Sequence, residues 1–445
     1  MMNLKSIKMS LKLVFVLLIL LIGWVFVLSV SAQQPTITIW TWKGIEDPEK
    51  LMPILQDFEK KYNCKIMHEG YSYPDMLTKP LIAAEANALP DVLEIAADSI
   101  MPILVEKGAL ENLDPYIEKA GGKNFLDRFS ESVIMTYKGH HYCVSEFPYN
   151  LEFLYNTNMF KEKFNPPKNW EELESICKAL TDKEKGVYGI TIPGNDPETL
   201  IYLSYFIVQN GGRIGLAKEL GQVPDREVKI EDIGINKPEA IEALEFALHL
   251  AKEYGTPFVG TDYKMARESF IRGEAAIIFD GPHTIAFMGS NYDPSFRISS
   301  DRMPIGPIGK PAGLVVPGDT TLAISSTAKN KDLCFQLLDY ITSDEVMTKY
   351  ALAASTTPGN KHASEVLAKS DIRSLPAIEG LQGTEPEWYV IPLYSSLPPQ
   401  TGAALDIFIA EIQKSALGEK TVQKAMDTVA KGWKDLWDEW QNTYK

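Results

Sequence analysis

Cysteine and histidine are scarce in this 445-residue chain, which has four of the first and six of the second. Cys64, Cys143, Cys177 and Cys334 lie far apart, and without a CxxC pair or a Cys/His cluster they give no sign of zinc. An oxidising compartment would permit one or two disulfides, and four cysteines allow three full pairings among which spacing does not choose. Buried free thiols fit equally well. His140-His141 is the only adjacent histidine pair, and neighbours on a strand point to opposite faces, which argues against a two-ligand metal site there. Catalytic signatures are missing as well: there is no GxSxG elbow, HExxH, P-loop or GxGxxG. Paired carboxylates for glycoside hydrolysis come from distant positions, so an exported glycosidase survives that search. Basic residues are in deficit, 44 against 59 acidic for a formal charge of −15, which speaks against the phosphate-binding face of a nucleic-acid protein.

What is present is a folded globular composition, 45% apolar and 23% charged. At roughly 150 residues per domain, the length suggests two or three domains, or two large lobes. Residues 1–32 read as a targeting segment. Lys5, Lys8 and Lys12 precede an apolar stretch from Leu13 to Val30, followed by Ser31 and Ala32 and then Gln33 and Gln34. A basic start, an apolar middle and a small-residue end describe a secretory signal cut after Ala32. The stretch is also long enough to span a bilayer, so an uncleaved N-terminal anchor is the alternative. Without it the remaining 413 residues carry −18, and no second apolar run of that length follows. The expected location is periplasmic or extracellular.

Beyond the leader, strands and helices alternate. Thr36 to Trp40 has a period-2 strand pattern, Leu51, Ile54, Leu55, Phe58 and Tyr62 fall at helical spacing, and Val92 to Ile95 reads as a second strand after a Pro90-Asp91 turn. Pro53 suggests that the first helix begins close to it. This β-α-β rhythm implies α/β lobes with a parallel sheet. Further strands are expected at Ala275–Phe279 and Leu322–Ile324, and helices through Ile241–Ala251 and Leu333–Ile341. Near the C-terminus, Val422, Ala425, Met426, Val429, Trp433, Leu436, Trp437 and Trp440 share one helical face, the pattern of a terminal helix packing on its domain rather than a ligand platform.

Polar and aromatic residues cluster where strands end. Trp40-Thr41-Trp42-Lys43-Gly44 closes the first strand, Asp98 lies just beyond the second, and Asp280-Gly281-Pro282-His283 just beyond another. In open α/β sheets ligands bind outside the carboxyl ends of strands. Aromatic faces beside carboxylates and amides suit a polyhydroxylated ligand, because rings cover its apolar C–H face while polar groups pair with hydroxyls.

The same residues carry a resemblance. In order along the chain stand ITIW, ALPDVLEI followed by Asp98, GHHYCVSEFPYNLEFLYNTNMF, NWEEL from Asn169, FIRGEAAIIFDGPH, LAISS with KNKD, and GEKTVQKAM. From about Ile37 to the C-terminus the chain resembles the family 1 extracellular solute-binding proteins of ABC importers, the maltose-binding-protein-like group. One departure is His283, where many sugar binders of the family have a tryptophan after Gly-Pro.

The resemblance implies a two-lobed periplasmic-binding-protein-like α/β fold with an interlobe ligand cleft and a hinge. One lobe would comprise residues 33–147 plus 303–345, the other 148–302 plus 346–445. It also implies a monomer without catalytic residues, cofactor or metal, which captures a carbohydrate by lobe closure and delivers it to the transmembrane subunits of an ABC permease. On that map Tyr149 and Asn150 lie just past the first crossing, Gly318 and Asp319 precede a returning strand, and Trp388 falls in an irregular Pro-rich stretch at the cleft rim. Trp42 and Trp388 are expected to stack on sugar rings, and Asp98, Asn150, Asp280 and Asp319 to bond hydroxyls. Trp40, Lys43, Tyr71 and His283 complete the candidate set.

Each candidate also has a plainer reading. Trp40 fits core packing, Asp98 fits a helix N-cap, Asp280 fits a bond to the turn it begins, and Tyr71 and Tyr73 fit a surface loop. A polyamine would suit the excess of carboxylates and remains an alternative ligand.

Overall fold

A computed structural model describes residues 34–42, 48–150, 152–161, 163–196, 199–216, 226–281, 284, 298–301, 303–309, 313–354, 356–370, 390–392 and 396–444. Strand β1 (Thr36–Trp42) leads to helix α1 (Pro48–Tyr62), strand β2 (Lys65–Tyr71), helix α2 (Tyr73–Glu85), strand β3 (Val92–Ile95), and helices α3 (Ala97–Glu106) and α4 (Asp114–Lys119). Strands β4 (Cys143–Asn150) and β5 (Glu152–Asn156) follow, then helices α5 (Trp170–Leu180), α6 (Thr199–Gln209), α7 (Pro238–Tyr254) and α8 (Tyr263–Ile271). Strands β6 (Ile277–Asp280), β7 (Ile298–Asp301) and β8 (Gly313–Ile324) come next, then helices α9 (Lys331–Ile341), α10 (Asp344–Ala354) and α11 (Lys361–Ser370). Strand β9 (Val390–Pro392) and helices α12 (Thr401–Ala416) and α13 (Val422–Tyr444) finish the chain.

Local chemistry accounts for many of these boundaries. Helix α1 starts at Pro48, a favoured first position, and not near Pro53 as its sequence suggested. Pro53 lies on the exposed side of α1, where water can satisfy the carbonyl that its missing N–H leaves unpaired. The NWEEL segment is a helix start. The Asn169 side chain accepts the Glu172 N–H at 2.9 Å, and the Glu172 carboxylate accepts the Lys168 N–H at 2.8 Å. Asn330 does the same for α9, taking the Leu333 N–H at 3.2 Å.

Among the described residues, one sheet runs β2-β1-β3-β8-β4, with β9 beside β8. Strand β1 is parallel to β2 and β3, whereas β8 is antiparallel to both β3 and β4, so the sheet is mixed where a parallel one was expected. Helices cover both of its faces. Ile37, Ile39, Val92 and Leu322 pack with Leu55, Phe58, Leu337 and Leu338 on one side, and Leu93, Ile95 and Ala323 pack with Ile100, Met101 and Leu104 on the other. A second, antiparallel sheet of order β6-β5-β7 belongs to a separate core. There α6 is buried along its whole length, as suits a helix apolar on all sides, and α13 contributes Trp433, Trp437 and Trp440, each at most 3% exposed. The indole N–H of Trp433 donates to the Ala404 carbonyl at 2.9 Å, so α13 is a packing helix and not a platform.

Two lobes follow from these cores, with limits that differ from the expectation at two places. Helices α10 and α11, expected in the second lobe, bury Met347, Tyr350, Ala351, Ala354 and Ala363 in the core of the first. Residues 303–309, expected in the first, dock on the second: the Gly306 N–H donates to the Gln209 carbonyl at 3.0 Å and the Trp170 N–H to the Ile305 carbonyl at 3.2 Å. The reason is local. A Cβ on Gly309 would stand 1.5 Å from the Gln209 carbonyl oxygen, an approach only glycine permits.

Strands β4 and β8 run between the lobes as one antiparallel ribbon. Near one end Val144 pairs Leu322 in the first core, and near the other Tyr149 pairs Val316 in the second. Register shifts fall between Ser145 and Phe147 and between Phe147 and Tyr149, where Pro148 faces the Pro317-Gly318-Asp319 segment. Neither proline has an N–H to give to the ladder, so the ribbon is irregular at the crossing itself.

Candidate ligand-binding site

Strand registers bring the candidate strand ends together. Strand β3 ends at Ile95, opposite Thr321 and three residues from Gly318, so the carboxyl ends of β1 and β3 point toward the crossing. In the other lobe β6 ends at Asp280, opposite Glu152 and two residues from Asn150. Both sheets therefore present their carboxyl ends to the same place, the rule for ligand sites in open α/β sheets. The lobes also touch beside it, where the Thr401 hydroxyl donates to the Ser99 carbonyl at 3.5 Å.

On the first lobe, Trp42 is half-buried against the core, and its N–H donates to Glu94 Oε2 at 2.8 Å. Glu94 is 2% exposed, a carboxylate inside a buried strand that the sequence reading passed over. Its position amid VLEI was the available signal, because an acid in a fully buried strand is seldom placed there without a partner. Thr41 is also buried, with its hydroxyl 2.7 Å from His68 Nε2.

Trp40 packs against the core under α3 and meets the Tyr71 ring edge-on at 4.9 Å. Tyr71 is not the open cleft aromatic that was expected. It is 8% exposed, Lys79 Nζ stands 3.7 Å from its ring centroid, and burial together with a bond to Glu69 pushes its pKa up to about 12. A ring this buried, with a cation over it, has little surface to offer a sugar. Tyr73 opens α2 and does not lie in a free loop.

Asp98 lies in the first turn of α3, whose N-cap is Ala96, so the capping alternative for Asp98 does not hold. Asn150 closes β4, and Gly318 and Asp319 lie in β8 at the crossing, both buried, with Asp319 7% exposed. Lys43, His283 and Trp388 lie outside the described residues.

On the second lobe, Asp280 has no exposed surface, and its two oxygens take five donors. Arg267 gives Nε to Oδ2 at 2.8 Å and Nη2 to Oδ1 at 3.1 Å. The Tyr149 hydroxyl donates at 3.1 Å, the Gly281 N–H at 2.8 Å and the Thr284 hydroxyl at 2.5 Å. A carboxylate accepts about four hydrogen bonds, so Asp280 is saturated by the protein and does not present the free oxygen expected of a hydroxyl-binding residue. Tyr149, expected in the cleft, belongs to the second core and directs its hydroxyl at Asp280. Arg267 is the residue that sequence reasoning missed here. Its spacing was the signal, since it shares a helix face with Tyr263, Ala266 and Phe270, and a charge on such a face asks for a buried partner.

His140 and His141 do not diverge as adjacent strand residues were expected to. The Tyr137–His140 hairpin, with Lys138 and Gly139 both at positive φ, turns both rings toward Asp114. His140 Nδ1 lies 2.7 Å from one oxygen of Asp114 and His141 Nδ1 2.7 Å from the other. Among the described residues no group of three or more His, Cys, Asp or Glu side chains is arranged to hold a metal, and all four cysteines are buried free thiols.

Two lobes, a crossing ribbon and paired strand ends give the architecture of the two-lobed binding-protein fold. The profile of bacterial extracellular solute-binding proteins matches residues 42–348, and the chain belongs to that family. A maltotriose-binding protein of Pyrococcus abyssi is 28% identical over 324 residues, 72% of this chain and 65% of that protein's length, so the match leaves about a third of the relative uncovered. A binding protein of Brucella abortus is 22% identical over 328 residues, 72% of this chain and 75% of its own. The fold is that of a Thermotoga lettingae ABC-transporter solute-binding protein whose crystal structure holds alpha-D-tagatose. The TM-score is 0.77 at 22% identity, covering 91% of this chain and all of the other. No helix among the described residues is long and apolar enough to cross a membrane.

Proposed function

We propose that this protein captures a sugar or short oligosaccharide between its lobes and delivers it, chemically unaltered, to the transmembrane subunits of an ABC importer. The observation that carries this reading is the convergence of β1, β3 and β6, by their carboxyl ends, on the β4/β8 crossing. The names of the relatives support a sugar in particular. In this reading the described residues within 34–147, 320–354 and 356–370 form the first lobe, and those within 148–309 and 396–444 the second. The leader carries the chain out of the cytoplasm, and the exported chain acts as a monomer.

Trp42 stacks on a sugar ring, and Asp98, Asn150 and Asp319 bond its hydroxyls, joined by Lys43, His283 and Trp388. A ligand held by both lobes binds the closed form more tightly and shifts the population toward it. A buried hydroxyl left unpaired costs ~1–3 kcal/mol, so hydrogen-bond matching selects among sugars.

Calorimetry of the mature chain against maltotriose, maltose, tagatose and other neutral sugars tests the reading, with spermidine and putrescine as a comparison arm. Heat and thermal stabilisation with a sugar, and recovery of that sugar intact, are expected. Binding only of the polyamines would replace the ligand class, and release of a cleaved sugar would replace capture with hydrolysis.

A further inference from the structure

We propose that Arg267 is the positioning residue of the second lobe's ligand face, fastening three separate chain segments around Asp280 so that they present one preformed surface to the solute. This rests on the capture reading above.

The connections are consecutive. Arg267 grips Asp280 at the end of β6 with two donors and turns a third, Nη1, to the Tyr263 hydroxyl. The Tyr263 N–H in turn donates to Asp196, which closes the Ile190–Asp196 segment lying alongside β6 through the Thr191–Ile278 bridge. Asp280 also holds the Tyr149 hydroxyl from the crossing strand, and Gly281 and Thr284 from the turn that follows β6. The end of β6 with the turn after it, the 190–196 segment and the crossing strand are thereby tied to one guanidinium.

Arginine suits the task and lysine does not. A planar fork can give two parallel bonds to one carboxylate while a third donor points elsewhere, whereas an ammonium acts as a point charge. Arg267 is 5% exposed, and burial alone would lower its pKa. The charge of Asp280 outweighs that and raises it, so the pair stays ionised inside the lobe. Tyr149 gives the arrangement its reach. It stands one residue past Pro148, where the ribbon's register shifts, so its bond to Asp280 anchors the crossing strand to the second lobe just beyond the irregularity.

A merely structural ion pair and a positioning one separate in the double variant Arg267→Met/Asp280→Asn. Removing one partner strands a buried charge, whereas removing both charges relieves most of that cost. Arg267→Met alone is expected to lower the melting temperature strongly, and the double variant to regain most of the loss. The affinity for maltotriose, or for whichever sugar of the panel binds best, is expected to stay about tenfold or more below wild type in the double variant, because the loop ends are no longer held in register. Amide exchange at 194–196 and at Gly281, measured without ligand, is expected to remain faster than wild type.

Recovery of affinity and exchange together with melting temperature would overturn the proposal. If wild type binds no sugar, the capture reading fails on its own, and the exchange arm still decides this one: wild-type exchange rates in the double variant would refute it.

Discussion

Two tryptophans in this chain should respond to the same deletion in opposite ways. Trp433 has no exposed surface and gives its indole N–H to the Ala404 carbonyl. Truncating a fully buried tryptophan to alanine costs ~3–5 kcal/mol through lost transfer energy and the cavity left behind, and here a buried carbonyl also loses its donor. Trp42 is half-buried at the end of β1, where its backbone N–H donates to Glu94. Trp42→Ala should therefore cost ~1–2 kcal/mol of stability. Its ring is assigned to cover the C–H face of a sugar, and losing a central aromatic contact of that kind removes ~1.5–3 kcal/mol of binding energy, about 10- to 150-fold in Kd. Trp433→Ala should lower the urea midpoint steeply while leaving the affinity of the folded fraction within about threefold. Denaturant titration and calorimetry on both variants provide the comparison. If Trp42→Ala binds every sugar within twofold of wild type and loses as much stability as Trp433→Ala, Trp42 is a core residue and the strand-end site is misplaced.

Two further outcomes follow from the titratable groups. Burial would raise the pKa of Asp114, but bonds from His140 and His141 outweigh it and hold the carboxyl at about 2, against an ordinary ~3.9. A depressed carboxylate stabilises the fold above its unfolded pKa and loses that contribution as pH falls through its folded pKa. With about a third of the side chain in water, the effect is discounted to ~1 kcal/mol. Wild type should exceed Asp114→Asn in urea stability by that amount at pH 5, and the gap should close toward pH 2; a gap constant with pH would refute the assignment. The four cysteines are buried, and desolvation raises the thiol pKa of Cys64, Cys177 and Cys334. A thiol reagent should label none of the four in the native protein within minutes and all four in urea, whereas two or fewer in urea without reductant would reveal a disulfide.

The elements with strong periodicity were legible. The strand Thr36–Trp42 and the helices over 238–254, 331–341 and 422–444 coincide with apolar patterns of period 2 or 3.6, and the strand Val92–Ile95 follows the Pro90-Asp91 turn that announced it. Strand direction was not legible. The β-α-β rhythm of the first hundred residues implies parallel neighbours, yet β8 enters the same sheet from more than two hundred residues later and runs the other way. Lobe membership after β8 was hidden for a similar reason: α10 and α11 are amphipathic, and an amphipathic helix states that it packs without stating on which core.

The site divides along the same physical line. Strand ends could be located from local pattern, which is why Trp40, Trp42 and Asp280 were picked out, whereas Asp319 came only with the family resemblance. What a polar side chain does there depends on partners brought by the fold. Asp280 read as an acid beside a turn, and its role changed once Arg267, thirteen residues earlier in sequence, and Tyr149, more than a hundred away, were found bonded to it. A carboxylate saturated by five donors shapes the wall of a binding site, and one with a free lone pair touches the guest. Tyr71 fails as an open cleft aromatic for a related reason, because it is buried with Lys79 over its ring. Recognition in such a protein therefore depends on which strand-end groups the lobes leave unspent when they fold, a quantity that local turn bonds begin to set and tertiary partners complete.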